Sequence, residues 1–241
     1  MVLQDSTPEL SSARLALAGI PLGSADLITV LTSVAQVAAE SISAVAGAAV
    51  RLVEAGRADV VAVSDELVRE LEQWQQELGE GPNMTALLEA GSTGSASLGG
   101  ERRWPRFGPR AGRAGVHSVL LLPLRSDFPL GTITLYSSAK AAFTELIGAT
   151  AASFVEAASP VVGNAHALDR AARLAVAAQW TATEGAVVQR AVGILMSRRG
   201  LDAEAALKNL REVSQRQNVK LVDLASQIVD EAVSRVRARL G

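Results

Sequence analysis

The sequence predicts an α+β domain, with an antiparallel sheet flanked by helices, followed by a helical connector and an all-α domain of three helices. Two observations predict it. The first two thirds of the chain alternate helical and strand-pair patterns, an order typical of antiparallel sheets. Three amphipathic stripes of helical period follow near the carboxyl end. Charge divides the chain similarly, because residues 166–241 hold 12 Lys/Arg against 8 Asp/Glu and residues 1–165 hold 11 against 17.

Composition and periodicity set the predicted domain boundaries. Residues 1–24 contain two prolines and two glycines and are predicted to form an N-terminal arm with at most one or two helical turns. The α+β domain covers residues 25–160. A helical connector, a possible coiled coil, covers residues 161–184, and the three-helix domain covers residues 185–241.

Apolar spacing places the elements of the α+β domain in chain order. The helical period and the turn residues that bound it predict helices, while short β-rich apolar runs predict two strand pairs. A glycine- and serine-rich stretch at residues 91–100 is predicted to be a flexible surface loop. The predicted helices are residues 25–45, 65–78, 84–90 and 143–158, and the predicted strands are residues 47–53, 59–63, 117–124 and 130–137.

The connector begins where Pro160 is predicted to break the helix that leaves the α+β domain, because proline lacks an N–H group and its ring collides with the preceding turn. Beyond it, apolar residues recur at alternating spacings of four and three, which is a short heptad stripe. Two interpretations stay open: a dimer seam that joins the two domains, or a helix packed on its own α+β domain. The stripe consists of Val161, Ala165, Leu168, Ala172 and Ala175.

The three-helix domain has recognisable helix boundaries. Gly200 is suited to the left-handed position after the first helix, and Asp202 to the N-cap of the second. Asn218 is predicted to start the third helix. Each helix is too short to be stable alone in water, so the three apolar stripes are expected to meet in one core.

The residues outside that predicted core are mainly basic. Guanidinium groups and backbone N–H groups near inter-helix turns can bind phosphates, although an ordinary solvated face is also compatible with such charges. The basic residues are Arg190, Arg198, Arg199, Lys208, Arg211, Arg216 and Lys220.

The motif R-A-V-G-I-L-M at residues 190–196, followed by G-x-x-x-x-x-A-x-x-x-L-R-x-x-S-x-x-x-N-x-K-L-x-D-x-A, resembles the ANTAR domain. ANTAR domains are RNA-binding modules of bacterial transcription antiterminators, and the resemblance implies a dimer that holds paired stem-loops in a nascent mRNA. Arginine and lysine side chains would contact phosphates, while small residues would allow close approach. The implied RNA-binding residues are Arg190, Ala191, Gly193, Arg198, Arg199, Arg211, Ser214, Asn218 and Lys220.

Three positions depart from the ANTAR pattern. Val192 and Gly185 stand where the family usually has basic residues, and Leu207 stands where it commonly has phenylalanine. The first two changes are expected to remove positive charge from the RNA-facing surface. A second hypothesis follows, in which a ligand-sensing or dimerising regulator acts through protein–protein contacts and RNA binding is weakened or lost.

The front domain resembles a GAF domain, and more narrowly the GAF type that precedes ANTAR in actinobacterial regulators. The supporting motifs are L-G-E-G-P at residues 78–82, R-W-P at 103–105, P-L at 123–124 and L-G-T-I-T-L-Y at 130–136. The resemblance implies a pocket above the sheet for a small ligand, which the sequence does not name. The N-K-x-x-x-F…D-E pattern of cyclic-nucleotide-binding GAF domains is missing, and covalent bilin attachment is excluded because the chain has no cysteine.

No catalytic, metal-binding or cofactor-binding site is predicted. The chain has no nucleophile elbow, no phosphate-binding P-loop and no zinc-protease motif, and its only histidines are His117 and His166. The sequence also shows no secretory signal and no apolar run that we expect to span a membrane. We therefore expect a non-enzymatic cytoplasmic regulator whose partners are RNA stem-loops, a second copy of the chain and possible small ligands, with no membrane.

Overall fold

The computed structural model describes residues 8–23, 25–53, 59–89, 92–126 and 129–240, and the chain divides into two compact units, Met1–Asp169 and Arg170–Gly241. In chain order the elements are α1 (Pro8–Ala18), α2 (Leu27–Ser41), β1 (Gly47–Leu52), β2 (Val60–Val63), α3 (Glu66–Leu78), α4 (Pro82–Glu89), β3 (Thr93–Ser95), a 3₁₀ turn (Leu98–Gly100), α5 (Phe107–Arg113), β4 (Ser118–Arg125), β5 (Pro129–Ser137), α6 (Glu145–Arg199), α7 (Ala203–Gln217) and α8 (Leu221–Leu240).

The first unit is built on a five-stranded sheet in the order β2-β1-β5-β4-β3, in which every neighbouring pair is antiparallel. Side chains on successive strand residues point to opposite faces, so each face has its own core. Helices α1, α2 and the first part of α6 contribute to one core, where Ile133 and Phe154 are fully buried. Helices α3 and α5 contribute to the other, with Trp104, Phe107 and Tyr136. The predicted α+β class is confirmed.

Both predicted strand pairs are confirmed, as β1 with β2 and β4 with β5. The turn predicted at residues 55–57 lies outside the described residues, and so do residues 127–128 of the turn predicted at residues 126–129. The prediction of a loop at residues 91–100 was wrong in part. Three residues, Thr93–Ser95, pair with β4 as an edge strand, and the 3₁₀ turn follows. A three-residue strand is too short to produce a detectable alternation of apolar and polar residues.

The prediction for the N-terminal arm was also wrong within the described residues. Helix α1 has 11 residues, where at most two turns were expected. Its residues Leu10, Ala13 and Leu17 are buried in the same core as α2. Their spacing of three and four is a helical stripe, and it outweighs the glycines and prolines that frame the segment.

Pro160 does not break the helix, because α6 continues through it from Glu145 to Arg199. Phe154 and Ala158 before the proline, and Val162 after it, are buried in the core of the first unit. This packing on both sides offsets the loss of one backbone hydrogen bond. By length and composition alone, the segment Glu145–Gln179 is apolar enough to cross a membrane. Its buried residues are those of a helix that contributes to a protein core.

The second unit contains the end of α6 together with α7 and α8, which share one core. Gly200 has the predicted left-handed conformation, with φ of 67°. Asp202 caps α7 as predicted, since its carboxylate accepts a hydrogen bond of 2.8 Å from the Ala205 N–H. Asn218 does not start the third helix. It is the left-handed C-cap of α7, a conformation that asparagine tolerates, and α8 begins at Leu221.

A clamp between Arg103 and Glu101 gives the first unit a testable pH dependence. The Arg103 guanidinium donates to both carboxylate oxygens of Glu101 and holds the pKa of that carboxyl at about 2, below its ordinary 4.5. Because the folded pKa is depressed, the stabilisation is complete above about pH 4.5 and is lost as the pH falls towards 2. We expect Glu101→Gln to lower the melting temperature at pH 7 and to have progressively less effect below pH 4.5. The exposed Glu70→Gln is the control, and a Glu101→Gln difference that does not change with pH would contradict the prediction.

Candidate functional site

A groove of about 440 Å³ lies in the second unit, between the last turns of α6 and the facing sides of α7 and α8. It combines an apolar surface with a charged one. The apolar lining is Leu195, Leu210, Val213, Leu224 and Ile228, and the polar lining is Arg198, Arg199, Asn209, Glu231 and Arg235. Apolar surface beside guanidinium groups can contact both the uncharged and the anionic parts of a polyanion.

The two arginines at the end of α6 are available to a ligand. Arg198 and Arg199 are both exposed, and within the described parts of the chain neither forms an ion pair with a carboxylate. Arg199 donates a hydrogen bond of 3.0 Å from Nη1 to Oδ1 of Asn209. Because an amide oxygen carries no net charge, this contact orients the guanidinium and leaves its positive charge uncompensated.

The remaining predicted basic residues also point to solvent. Arg190, Arg211 and Lys220 are exposed and, among the described residues, have no carboxylate partner. Arg190 Nε donates to the backbone carbonyl of Ala186 at 3.3 Å. These three residues are not part of the groove lining. The structure thus brings Arg198 and Arg199 together in the groove, and places the other three cations on the surface outside it.

The uncharged residues of the predicted RNA-binding set differ in exposure. Gly193 is exposed, and a Cβ atom added to it would meet open space. Ser214 is half-buried and donates a 2.7 Å hydrogen bond to the carbonyl of Val219. Asn218 lies next to it as the exposed cap of α7. Ser214 and Asn218 therefore shape the turn between α7 and α8.

Ala191 requires a correction, because it has no exposed surface. Its methyl group packs in the three-helix core, so direct contact between this side chain and RNA is excluded in this conformation. Val192 requires another, since it is 4% exposed and belongs to the same core. The Val192 side chain is therefore not part of the exposed basic surface.

Asn209, Glu231 and Arg235 line the groove, but no motif or spacing in the sequence selects them. Asn209 precedes Leu210, which belongs to the apolar stripe of α7. This position could have predicted that Asn209 lies at the edge of the core. Glu231 and Arg235 follow the apolar stripe of α8 at the i, i+4 spacing of a helical ion pair. Their relation to Arg198 and Arg199 depends on how α6 and α8 pack, which local spacing does not reveal.

The first unit contains a buried polar cluster on the sheet face covered by α3. Glu72 accepts hydrogen bonds from Arg51 Nη2 at 2.9 Å, from the Tyr136 hydroxyl at 2.9 Å and from Asn83 Nδ2 at 2.8 Å. Burial and the nearby Glu72 carboxylate raise the pKa of the Tyr136 phenol well above its usual range. Gln75 Nε2 also donates to the Tyr136 oxygen. These polar groups therefore bond mainly to one another.

Metal binding has no support in the part of the chain that the structure describes, where no group of three or more histidine, aspartate or glutamate side chains could hold an ion. His117 and His166 are both half-buried.

A family model for the GAF domain matches residues 24–162, and one for the ANTAR domain matches residues 177–229. The two resemblances found in the sequence are thereby confirmed, while the narrower actinobacterial type stays a prediction. Both are regulatory rather than catalytic domains. No curated protein matches the chain.

Solved structures of similar fold share little sequence with the chain. The N-acylhomoserine lactone dependent LuxR family transcription factor CepR2 from Burkholderia cenocepacia is 16% identical, with 66% of this chain and 96% of that chain covered and a TM-score of 0.51. The GAF domain of a phosphoenolpyruvate-protein phosphotransferase from Coxiella burnetii is 17% identical, with 68% and 95% covered and a TM-score of 0.50. A free methionine-R-sulfoxide reductase from Neisseria meningitidis is 15% identical, with 70% and 98% covered and a TM-score of 0.46. At these identities the first two similarities show only that the fold is shared. The TM-score of the third is too low to support a conclusion.

Proposed function

Because the chain belongs to the GAF domain family over residues 24–162 and carries an ANTAR domain at residues 177–229, we propose that it is a cytoplasmic RNA-binding regulator of transcription antitermination. The ANTAR domain, as a dimer, binds paired stem-loops in a nascent mRNA and so prevents a terminator hairpin from forming. The GAF domain controls it as a sensor and dimerisation domain. The exposed predicted residues that contact RNA are Arg190, Gly193, Arg198, Arg199, Arg211, Asn218 and Lys220.

The observation that carries the proposal is the pair Arg198 and Arg199 at the groove. Both guanidinium groups are exposed, and neither has a carboxylate partner among the described residues. An arginine neutralised by a carboxylate would gain little from a phosphate, whereas an uncompensated one exchanges water and counterions for charge-assisted hydrogen bonds. A stem-loop supplies phosphates on both sides of its unpaired bases, which suits a groove with cationic and apolar sides.

A second copy of the chain is part of this proposal. The first residues of the predicted heptad stripe, Val161 and Ala165, are half-buried and buried, whereas its later residues are exposed. On this exposed face Leu168 is 50% exposed, and Val176, one turn after Ala172, is 67% exposed. A helix that leaves large aliphatic side chains in water gains stability when a second copy covers them. We therefore assign the dimer seam to the part of α6 around Leu168–Val176.

The alternative is a regulator that acts through protein–protein contacts with weakened RNA binding. Gly185 favours it, because this helical position is exposed and lacks the basic side chain usual in ANTAR domains. Val192 no longer supports it, since that residue is in the core. A small-molecule ligand for the GAF domain is compatible with both functions.

A salt titration tests the proposed function. Binding of a fluorescent double-hairpin RNA to the full chain is measured by anisotropy from about 50 to 400 mM salt. If each protomer of a dimer uses Arg198 and Arg199 on phosphates, these four contacts alone contribute roughly −3 to −4 to the log–log slope. Contacts of Arg190, Arg211 and Lys220 make it steeper. A single hairpin is the control and should bind more weakly, because only one ANTAR domain is engaged. No binding of the double hairpin at about 50 mM salt, where counterion release is most favourable, would refute RNA binding and leave the alternative.

A further inference from the structure

We infer that Glu231 is a specificity-determining residue of the groove, whose carboxylate weakens the binding of non-specific RNA phosphates. This inference rests on the proposed RNA-binding function and concerns which RNA the same groove selects. Glu231 and Arg235 lie on α8 beyond residue 229, where the match to the ANTAR family ends. They add one acidic and one basic side chain to the groove lining, and both lie outside the matched residues 177–229.

Glu231 and Arg235 contribute one negative and one positive charge to the groove lining. Glu231 Oε2 accepts a hydrogen bond of 3.4 Å from Arg235 Nη2, and the two side chains are 61% and 65% exposed. Both residues line the groove together with Arg198 and Arg199. An exposed ion pair one helical turn apart contributes little to folding stability, so stabilising α8 is a weak reason for a carboxylate at this place.

An RNA phosphate that enters the groove experiences both attraction and repulsion. Arg198 and Arg199 attract it with uncompensated charge, whereas Glu231 repels it and holds Arg235 in an ion pair. A double hairpin of the correct shape fixes its phosphates where the α6 arginines bind them. An arbitrary duplex has no such fixed position and also places phosphates beside the carboxylate. Repulsion of this kind disfavours the wrong partner more than the right one.

The test compares Glu231→Gln with the wild-type full chain on two probes, a double-hairpin RNA and a plain RNA duplex of equal length. For Glu231→Gln we expect duplex affinity to rise about threefold to tenfold. The salt slope on the duplex should steepen by about 1 for each protomer that contacts it, because Arg235 becomes free for phosphate. Affinity for the double hairpin should rise less than about twofold, so the selectivity ratio falls.

The matched control is Glu204→Gln, which makes the same change in net charge on α7 outside the groove. It should change both affinities equally and only slightly. Adding Arg235→Gln to Glu231→Gln should remove the increase in salt slope but keep part of the gain in duplex affinity. Circular dichroism of α-helix content separates these effects from a loss of structure in α8.

The outcomes distinguish this inference from the proposed function. If the wild-type chain binds neither RNA at about 50 mM salt, the proposed function is refuted and this inference falls with it. If the wild-type chain binds the double hairpin but Glu231→Gln behaves like Glu204→Gln, or raises both affinities equally, only the role of Glu231 is refuted. A lower affinity of Glu231→Gln for the duplex would also overturn it.

Discussion

Glu72→Ala is expected to destabilise the GAF domain by about 3 to 5 kcal/mol, the cost of removing one partner from a buried ion pair. Arg51, whose side chain is 5% exposed, would keep only the more exposed Asp59 as a carboxylate partner. Tyr136 and Asn83 would each lose a hydrogen-bond acceptor as well. A loss of this size is a large part of the total stability of a typical domain, about 5 to 15 kcal/mol.

Urea unfolding followed by tryptophan fluorescence measures this effect locally, because Trp74 and Trp104 both lie in the GAF domain. A Trp180→Phe background removes the third tryptophan. Glu70→Ala on the same helix is the control. Glu70 is exposed, so its removal should change the free energy of unfolding by no more than about 0.5 kcal/mol. Equal unfolding midpoints for Glu72→Ala and Glu70→Ala would show that the cluster does not stabilise the domain.

The same cluster marks the limit of what the sequence could predict about the GAF domain. Strand pairs and helix α3, including its end at Leu78, followed from periodicity. Arg51 lies inside the apolar strand β1 and pairs with Glu72, which is 21 residues away on helix α3. Nothing in local spacing links these two residues, because their contact is made only when α3 packs on the sheet. Periodicity predicts elements, whereas tertiary packing decides which polar side chains meet.

In the ANTAR domain, sequence reasoning located the core well and the surface less well. The caps at Gly200 and Asp202 and the apolar stripes of three helices were correct. Asn218 was wrongly placed at the start of the third helix. Ala191 and Val192 were wrongly placed on an RNA-facing surface, although both are in the core. A motif records which residues a family needs but does not separate those that bind from those that pack. The exposed Arg198 and Arg199 come about one turn after Leu195, the last buried core residue of α6.

Arg198→Ala/Arg199→Ala is expected to reduce affinity for the double-hairpin RNA at ~100 mM salt by about 100-fold for each ANTAR domain that binds, and so by about 10⁴-fold for the dimer. Two charge-assisted contacts of roughly 1.5 kcal/mol each amount to about 3 kcal/mol per ANTAR domain, which corresponds to the factor of about 100. The salt slope should also become shallower by about 3 to 4 for the dimer, since four phosphate contacts are lost. Folding should be nearly unaffected, because both side chains are exposed and, in the described part of the chain, neither is in an ion pair.

Lys208→Ala/Arg216→Ala is the matched control for this double variant. It removes the same two charges from the same domain, but both residues are exposed on α7 outside the groove. If RNA responded only to net charge, the two double variants would lose affinity equally. If the groove binds phosphates, the control should lose less than about fivefold and keep most of its salt slope. Arg198→Lys/Arg199→Lys separates charge from geometry, because lysine keeps the charge but cannot form a bidentate contact. Recovery of the salt slope without full recovery of affinity would show that the planar guanidinium groups, and not only their charge, bind the RNA.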